Sequence, residues 1–128
     1  MNNEMFNSVT EERIKTCIDV LCKKSDEYST DDDKLHNFKV AGALQGCSDV
    51  KALGGMMCKH TVSIYDLIND FEHGKNISID LWNEKIGDSI NYLLRLNAMV
   101  IEHERDKQKE KWYTIYGRMN VFHFDTSF

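Results

Sequence analysis

The segment Trp82-Asn83-Glu84-Lys85-Ile86-Gly87-Asp88-Ser89-Ile90-Asn91-Tyr92-Leu93-Leu94 constrains the fold more than any other. At 100° per residue it sets Glu84, Asp88, Asn91 and Arg95 along one line of a helix, while Trp82, Ile86, Ile90, Leu93, Leu94, Leu96, Val100 and Ile101 spread over most of the remaining circumference. A helix that is apolar over so much of its surface belongs at the centre of a fold. Its narrow polar line must then be the solvated edge of the helix, or face a slot of solvent or a site. Two carboxylates one turn apart are also what a hard divalent cation requires.

The chain contains no proline and few alternating β-branched runs, so helix is the expectation for most of its length. A first helix is predicted to start near Ser8-Val9-Thr10-Glu11, a capping-box pattern, with Ile14, Cys17, Ile18, Leu21 and Cys22 facing inward. It should fade across Ser25 to Thr30, where cap and turn residues cluster before Asp31-Asp32-Asp33. A second helix, over about 34–45, should bury Leu35, Phe38, Ala41 and Leu44 and end at Gly46. Ser48 caps a third helix, over about 49–71, with Leu53, Met56, Met57, His60, Ile64, Leu67, Ile68 and Phe71 on its apolar face. Gly74 breaks the chain, and Ser78 with Asp80 opens a fourth helix that runs to about Glu104. A short connection around Gly74 predicts antiparallel packing of the third and fourth helices.

The run from Glu102 to Lys111 is charged, and the following Trp112 to Phe124 is aromatic. In the latter, Val121 and His123 alternate with Phe122 and Phe124, so it reads as an extended segment with Gly117 available for a turn. The expected architecture is all-α: a four-helix bundle domain over 1–111, and a short extended aromatic tail over 112–128 that packs on the bundle or on a partner subunit. So much apolar surface predicts a homodimer.

At 128 residues the chain fits one bundle without disulfide or metal staples. Cys17, Cys22, Cys47 and Cys58 form no CxxC pair and have no Cys/His spacing suited to zinc, and Cys17, Cys22 and Cys58 fall within predicted helices, which reads as small reduced core residues. The polar start Met1-Asn2-Asn3-Glu4 has no signal-peptide pattern, and no apolar run reaches about 20 residues, so a cytoplasmic location without membrane insertion is expected. A net charge of −5 without a clustered basic face argues against direct nucleic-acid binding. Phosphorylated small molecules remain compatible, through a metal or a few local cations.

Two further groups could carry chemistry. On the third helix His60 sits in the apolar face, where a hydrogen-bonded core histidine is the simpler reading. Lys59, Ser63, Asp66 and Asp70 recur beside it at i, i+4, i+7 and i+11. If that flank meets the fourth helix, Asp66 joins Glu84 and Asp88 in an acidic pocket that only a cation could neutralise, with Lys59 as its counter-charge. The second group, Lys24, Glu27 and Tyr28 with Asn37, has the residue types that contact phosphate, base and sugar, and equally those of a capped loop. No GxGxxG, P-loop, GxSxG or HExxH pattern occurs.

In order, Lys24-x-x-Glu27-Tyr28, Asn37-Phe38-x-x-Ala41, Leu53-x-Gly55-Met56-Met57-x-Lys59-His60-x-x-Ser63-Ile64-x-Asp66-Leu67-Ile68 and Trp82-x-Glu84-Lys85-Ile86-x-Asp88-x-Ile90-Asn91-Tyr92-Leu93 resemble a small protein family common in bacteriophages. That family in turn resembles the MazG-like all-α nucleotide pyrophosphohydrolases. The resemblance spans roughly residues 10 to 102 and implies a dimeric helical bundle in which carboxylates on adjacent helices hold Mg²⁺ against a nucleoside triphosphate, for water to release pyrophosphate. Asp88 matches the aspartate of the family's Glu-x-x-Asp motif, whereas position 85 is Lys and Glu84 lies one residue early. The family's Glu-Glu-x-x-Glu pattern is replaced by Lys59-His60-x-x-Ser63.

The resemblance implies Asp66, Glu84 and Asp88 as Mg²⁺ ligands, and Glu27 or His60 to orient the water. Lys24, Tyr28, Asn37, Lys59 and Asn91 would contact the nucleotide. A phage-type nucleotide-binding protein, with or without hydrolase activity, is the first functional expectation. The alternative is a non-catalytic interaction or counter-defence protein that binds a host protein or sequesters a nucleotide.

Overall fold

The computed structural model describes the backbone of residues 1–28 and 33–121, and the side chains of 1–23 and 33–118. Four helices follow one another: α1 (Asn3–Tyr28), α2 (His36–Gln45), α3 (Asp49–Glu72) and α4 (Ile79–Val121). The fold is all-α. The chain divides into two compact units, Met1–Leu96 and Asn97–Phe128, with the boundary inside α4. No described helix is long and apolar enough to cross a membrane.

α1 starts earlier than the capping-box pattern at Ser8 predicts. The Asn2 side-chain oxygen accepts the Met5 amide at 2.8 Å and its carbonyl accepts the Phe6 amide at 3.0 Å, so Asn2 supplies the cap and Ser8 to Glu11 fall in the helix interior. The inward line is also narrower than expected. Cys17 is buried, its thiol 4.0 Å from the Gly87 carbonyl of α4, whereas Ile14, Ile18 and Cys22 are exposed. Burial raises the Cys17 pKa, opposed by nearby Arg13, so the thiol stays protonated.

The start of α2 is organised by Asp33. Its carboxylate accepts the Leu35 amide at 3.0 Å and pairs with the Lys39 ammonium at 2.9 Å, and this hydrogen bond to Lys39 is the main cause of its lowered pKa. Leu35 and Phe38 are buried as expected, but Leu44 is 83% exposed. The reason is the turn that follows. Gly46 adopts φ +66°, its amide and that of Cys47 bond back to Ala43 and Gly42, and this closure turns Gly42 rather than Leu44 toward α3.

Ser48 caps α3 by accepting the Lys51 amide at 3.1 Å, as its position predicts. Ala52, Leu53 and Leu67 are buried, while Ile68 and Phe71, expected on the same face, are exposed. Gly74 at φ +74° closes α3 with the pattern seen at Gly46: the Gly74 amide bonds to Phe71 and the Lys75 amide to Asp70. Ser78 then caps α4 by accepting the Leu81 amide at 3.2 Å. Phe71 meets Trp82 edge-on near this turn, and His60 meets Tyr92 about three helical turns further along, so α3 and α4 run antiparallel.

In the second unit the structure departs from the expected extended tail, because helix α4 continues to Val121. Pairs at helical spacing account for it: Lys107 with Glu104 at 2.8 Å, Lys109 with Asp106 at 3.9 Å, and Trp112 stacked on Tyr116 with ring centres 5.3 Å apart. Period-two alternation was the cue for an extended chain, and its clearest part, Phe122 to Phe124, lies outside the described residues.

Two outcomes follow from these turns. A Cβ added at Gly42 would sit 2.9 Å from both the Asp49 amide nitrogen and the Cys47 carbonyl oxygen, so Gly42→Ala should lower stability by about 1 to 3 kcal/mol in urea denaturation. Because Asp33 has a lowered folded-state pKa, its contribution is present above the usual carboxylate range and is lost as pH falls through that pKa. Both partners are partly solvated, so Lys39→Met should cost less than about 1 kcal/mol at neutral pH, and the difference from wild type should vanish in acid.

Candidate functional site

From Asp88 onward the polar line of α4 is turned inward, whereas Glu84 at its start is exposed. Asn91 is only 5% exposed and Arg95 is half-buried, while Ile79, Ile86 and Leu93 on the opposite side of the same helix face solvent. Helix α3 determines what the line meets. His60, centred on the face that also buries Leu53 and Leu67, reaches across so that its Nδ1 lies 3.6 Å from Asp88 Oδ2, and its ring packs on Tyr92 with centres 4.6 Å apart. α2 adds Phe38, whose ring meets Tyr92 edge-on at 6.4 Å.

Arg95 completes the arrangement, its guanidinium carbon 5.6 Å from the Tyr92 ring centre, within cation–π range. Burial lowers the Arg95 pKa, with Tyr92 and Asp88 pulling it back up. Asn91 projects from the same line, and its buried Oδ1 accepts no hydrogen bond. The cluster therefore combines a histidine–carboxylate pair, an aromatic platform, a half-desolvated cation and an unused buried acceptor. These groups can stack on a planar ring, hold an anion and accept hydrogen bonds from a donor-rich ligand.

The residues expected to form the acidic pocket are placed otherwise. Glu84 pairs with the Lys85 ammonium at 2.8 Å, Asp88 faces His60, and Asp66 is exposed. The Glu84 hydrogen bond is the main cause of the raised Lys85 pKa, which keeps that ammonium charged beside the carboxylate. Among the described residues no group of three His, Cys, Asp or Glu side chains comes together as a metal site.

Asn37 and Lys59 are exposed, Asp70 pairs with Lys75 at 2.6 Å, and Ser63 donates to its own helix at the Lys59 carbonyl. Lys24, Glu27 and Tyr28 lie outside the described side chains. The sequence reading placed Arg95 on the polar line but gave it no role, and it gave none to Tyr92 or Phe38. The signal for Tyr92 was positional: it follows Asp88 by one turn and so borders the polar line.

No family model matches this chain, and no curated protein and no solved structure matches it either.

The unpaired acceptor makes a testable statement about stability. Replacing a buried, unsatisfied amide by an apolar group of similar shape removes a desolvation cost, so Asn91→Leu should raise stability by about 1 kcal/mol in urea denaturation. A loss of similar size would show that the amide is bonded in solution.

Proposed function

We propose that this chain is a nucleotide-binding helical protein that holds its ligand along the inward polar line of α4 and acts by binding rather than by metal-assisted pyrophosphate release. The observation that carries this reading is the half-buried Arg95 guanidinium over Tyr92, beside the unused Asn91 acceptor and the His60–Asp88 pair. In this reading Arg95 supplies the charge for a phosphate, Tyr92 an aromatic face for a base, and Asn91 with Asp88 accept hydrogen bonds from base or sugar. The resemblance to phage MazG-like proteins supports the ligand class. The Lys85 ammonium beside Glu84 and the imidazole opposite Asp88 favour binding over hydrolysis, since an ammonium and an imidazole stand where further carboxylates would be needed to gather a metal.

A second reading is a phage interaction or counter-defence protein that engages a host protein. It is favoured by the exposed stack of Trp112 on Tyr116, flanked by exposed Tyr113 and Ile115.

Isothermal titration with nucleoside mono-, di- and triphosphates, each with Mg²⁺ and with EDTA, separates the readings. Binding that persists in EDTA, weakened at least tenfold by Arg95→Met and by Asp88→Asn without loss of helicity, is the expected result. Release of pyrophosphate that requires Mg²⁺ would restore the hydrolase reading. Absence of binding by every nucleotide at millimolar concentration would overturn the nucleotide reading and leave the interaction protein.

A further inference from the structure

The inward cluster of α4 is polar in a fixed direction, and that direction limits the charge its ligand can carry. Along the helix the groups come in the order carboxylate, neutral acceptor, cation: Asp88, then Asn91, then Arg95. At the rise of an α-helix, Asp88 and Arg95 stand about 10 Å apart along the axis, with Asn91 between them. A ligand laid against this order needs hydrogen-bond donors at one end, where the Asp88 carboxylate and the buried Asn91 Oδ1 accept, and an anion at the other, where the guanidinium donates.

The cationic end suits one phosphate. Among the described residues Arg95 forms no ion pair with a carboxylate; the Tyr92 ring lies 5.6 Å away, and Asp88 acts on it only through its charge. Half-burial has cost the guanidinium part of its hydration, and its planar fork of N–H groups matches the oxygens of a phosphate. Other cations of the first unit are committed elsewhere: Lys85 to Glu84, Lys75 to Asp70 and Lys39 to Asp33. Lys59 is exposed, and the next lysine or arginine on α4 after Arg95 is Arg105. The His60 imidazole is turned to Asp88. Each phosphate beyond the first would therefore add negative charge to a cluster that already holds the Asp88 carboxylate and has one guanidinium to set against it.

We infer that the ligand of this cluster is a nucleoside monophosphate, with its phosphate on Arg95 and a donor of its base or sugar on Asn91 Oδ1. The inference rests on the nucleotide reading above and narrows it, placing one phosphate where the family resemblance implies three.

Isothermal titration of the full chain in EDTA tests it, with adenosine, AMP, ADP and ATP and the matching guanine, cytosine and uracil series as ligands. For the base that binds best, the monophosphate should bind at least about tenfold more tightly than the nucleoside, the effect of one charge-assisted hydrogen bond. The di- and triphosphates should bind no more tightly than the monophosphate. Arg95→Met should bring the monophosphate down to the affinity of its nucleoside, so that the ratio between them falls to about one. Asn91→Leu should weaken both by the same factor and leave that ratio unchanged. A general loss of structure would not separate the two variants in this way.

Affinity that rises from mono- to triphosphate would overturn the inference while leaving the nucleotide reading in place. So would a preference for the monophosphate over the nucleoside that survives Arg95→Met. If no nucleoside or nucleotide binds at millimolar concentration, both fall together. If Arg95→Met loses helicity, the wild-type ranking of one, two and three phosphates decides the question alone.

Discussion

The contact of His60 with Asp88 is the constraint around which the first unit is arranged. It fixes the rotation of α4 about its own axis, because the residues one and two turns along the same line, Tyr92, Asn91 and Arg95, must then also face inward. Once that rotation is set, the apolar residues on the far side have no place in the core. The usual arrangement of an amphipathic helix is thereby partly inverted in α4. His60 and Asp88 are only partly buried, so their contact adds little net stability, but the wrong rotation of α4 would strip both groups of it. They therefore specify orientation more than they hold the fold together.

The turns place α3 so that this contact can form. Gly46 and Gly74 each end a helix in the left-handed conformation, and Ser48 and Ser78 each start the next within four residues, so neither connection has room to vary. Gly42 adds a close approach of backbone to backbone at the α2–α3 corner, bringing Phe38 near enough to reach Tyr92. Small residues and caps thus govern the placement of the aromatic and charged cluster. Leu53 provides the fully buried anchor on α3, about two turns before His60.

Much of this was legible from local chemistry. The boundaries of α2 and α3, the Ser48 and Ser78 caps and the antiparallel α3–α4 pair follow from cap residues and glycines acting within four positions, a range the sequence exposes directly. What failed depended on competition between signals. The Ser8 pattern was a valid cap that lost to Asn2, because a helix continues through Ser, Thr and Glu when an earlier cap is available. The aromatic segment after Trp112 looked extended by composition, yet Trp112 and Tyr116 stack only at helical spacing. For the candidate site, periodicity located the line Asp88, Asn91 and Arg95 and singled out His60, but it could not show that the line faces α3. Tyr92 and Phe38 were passed over because aromatic residues at helical spacing read first as core.

The inward polar line and the outward apolar residues of α4 are two consequences of one rotation. Asp88, Asn91 and Arg95 lose solvent by it, while Ile79, Ile86 and Leu93 keep theirs. Half-burying a guanidinium and leaving the Asn91 Oδ1 without a donor both cost folding free energy, because neither group recovers all the hydration it gives up. A ligand that brings an anion to Arg95 and a donor to Asn91 would offset that cost in the folded state alone, so its binding at the cluster should stabilise the first unit by mass action.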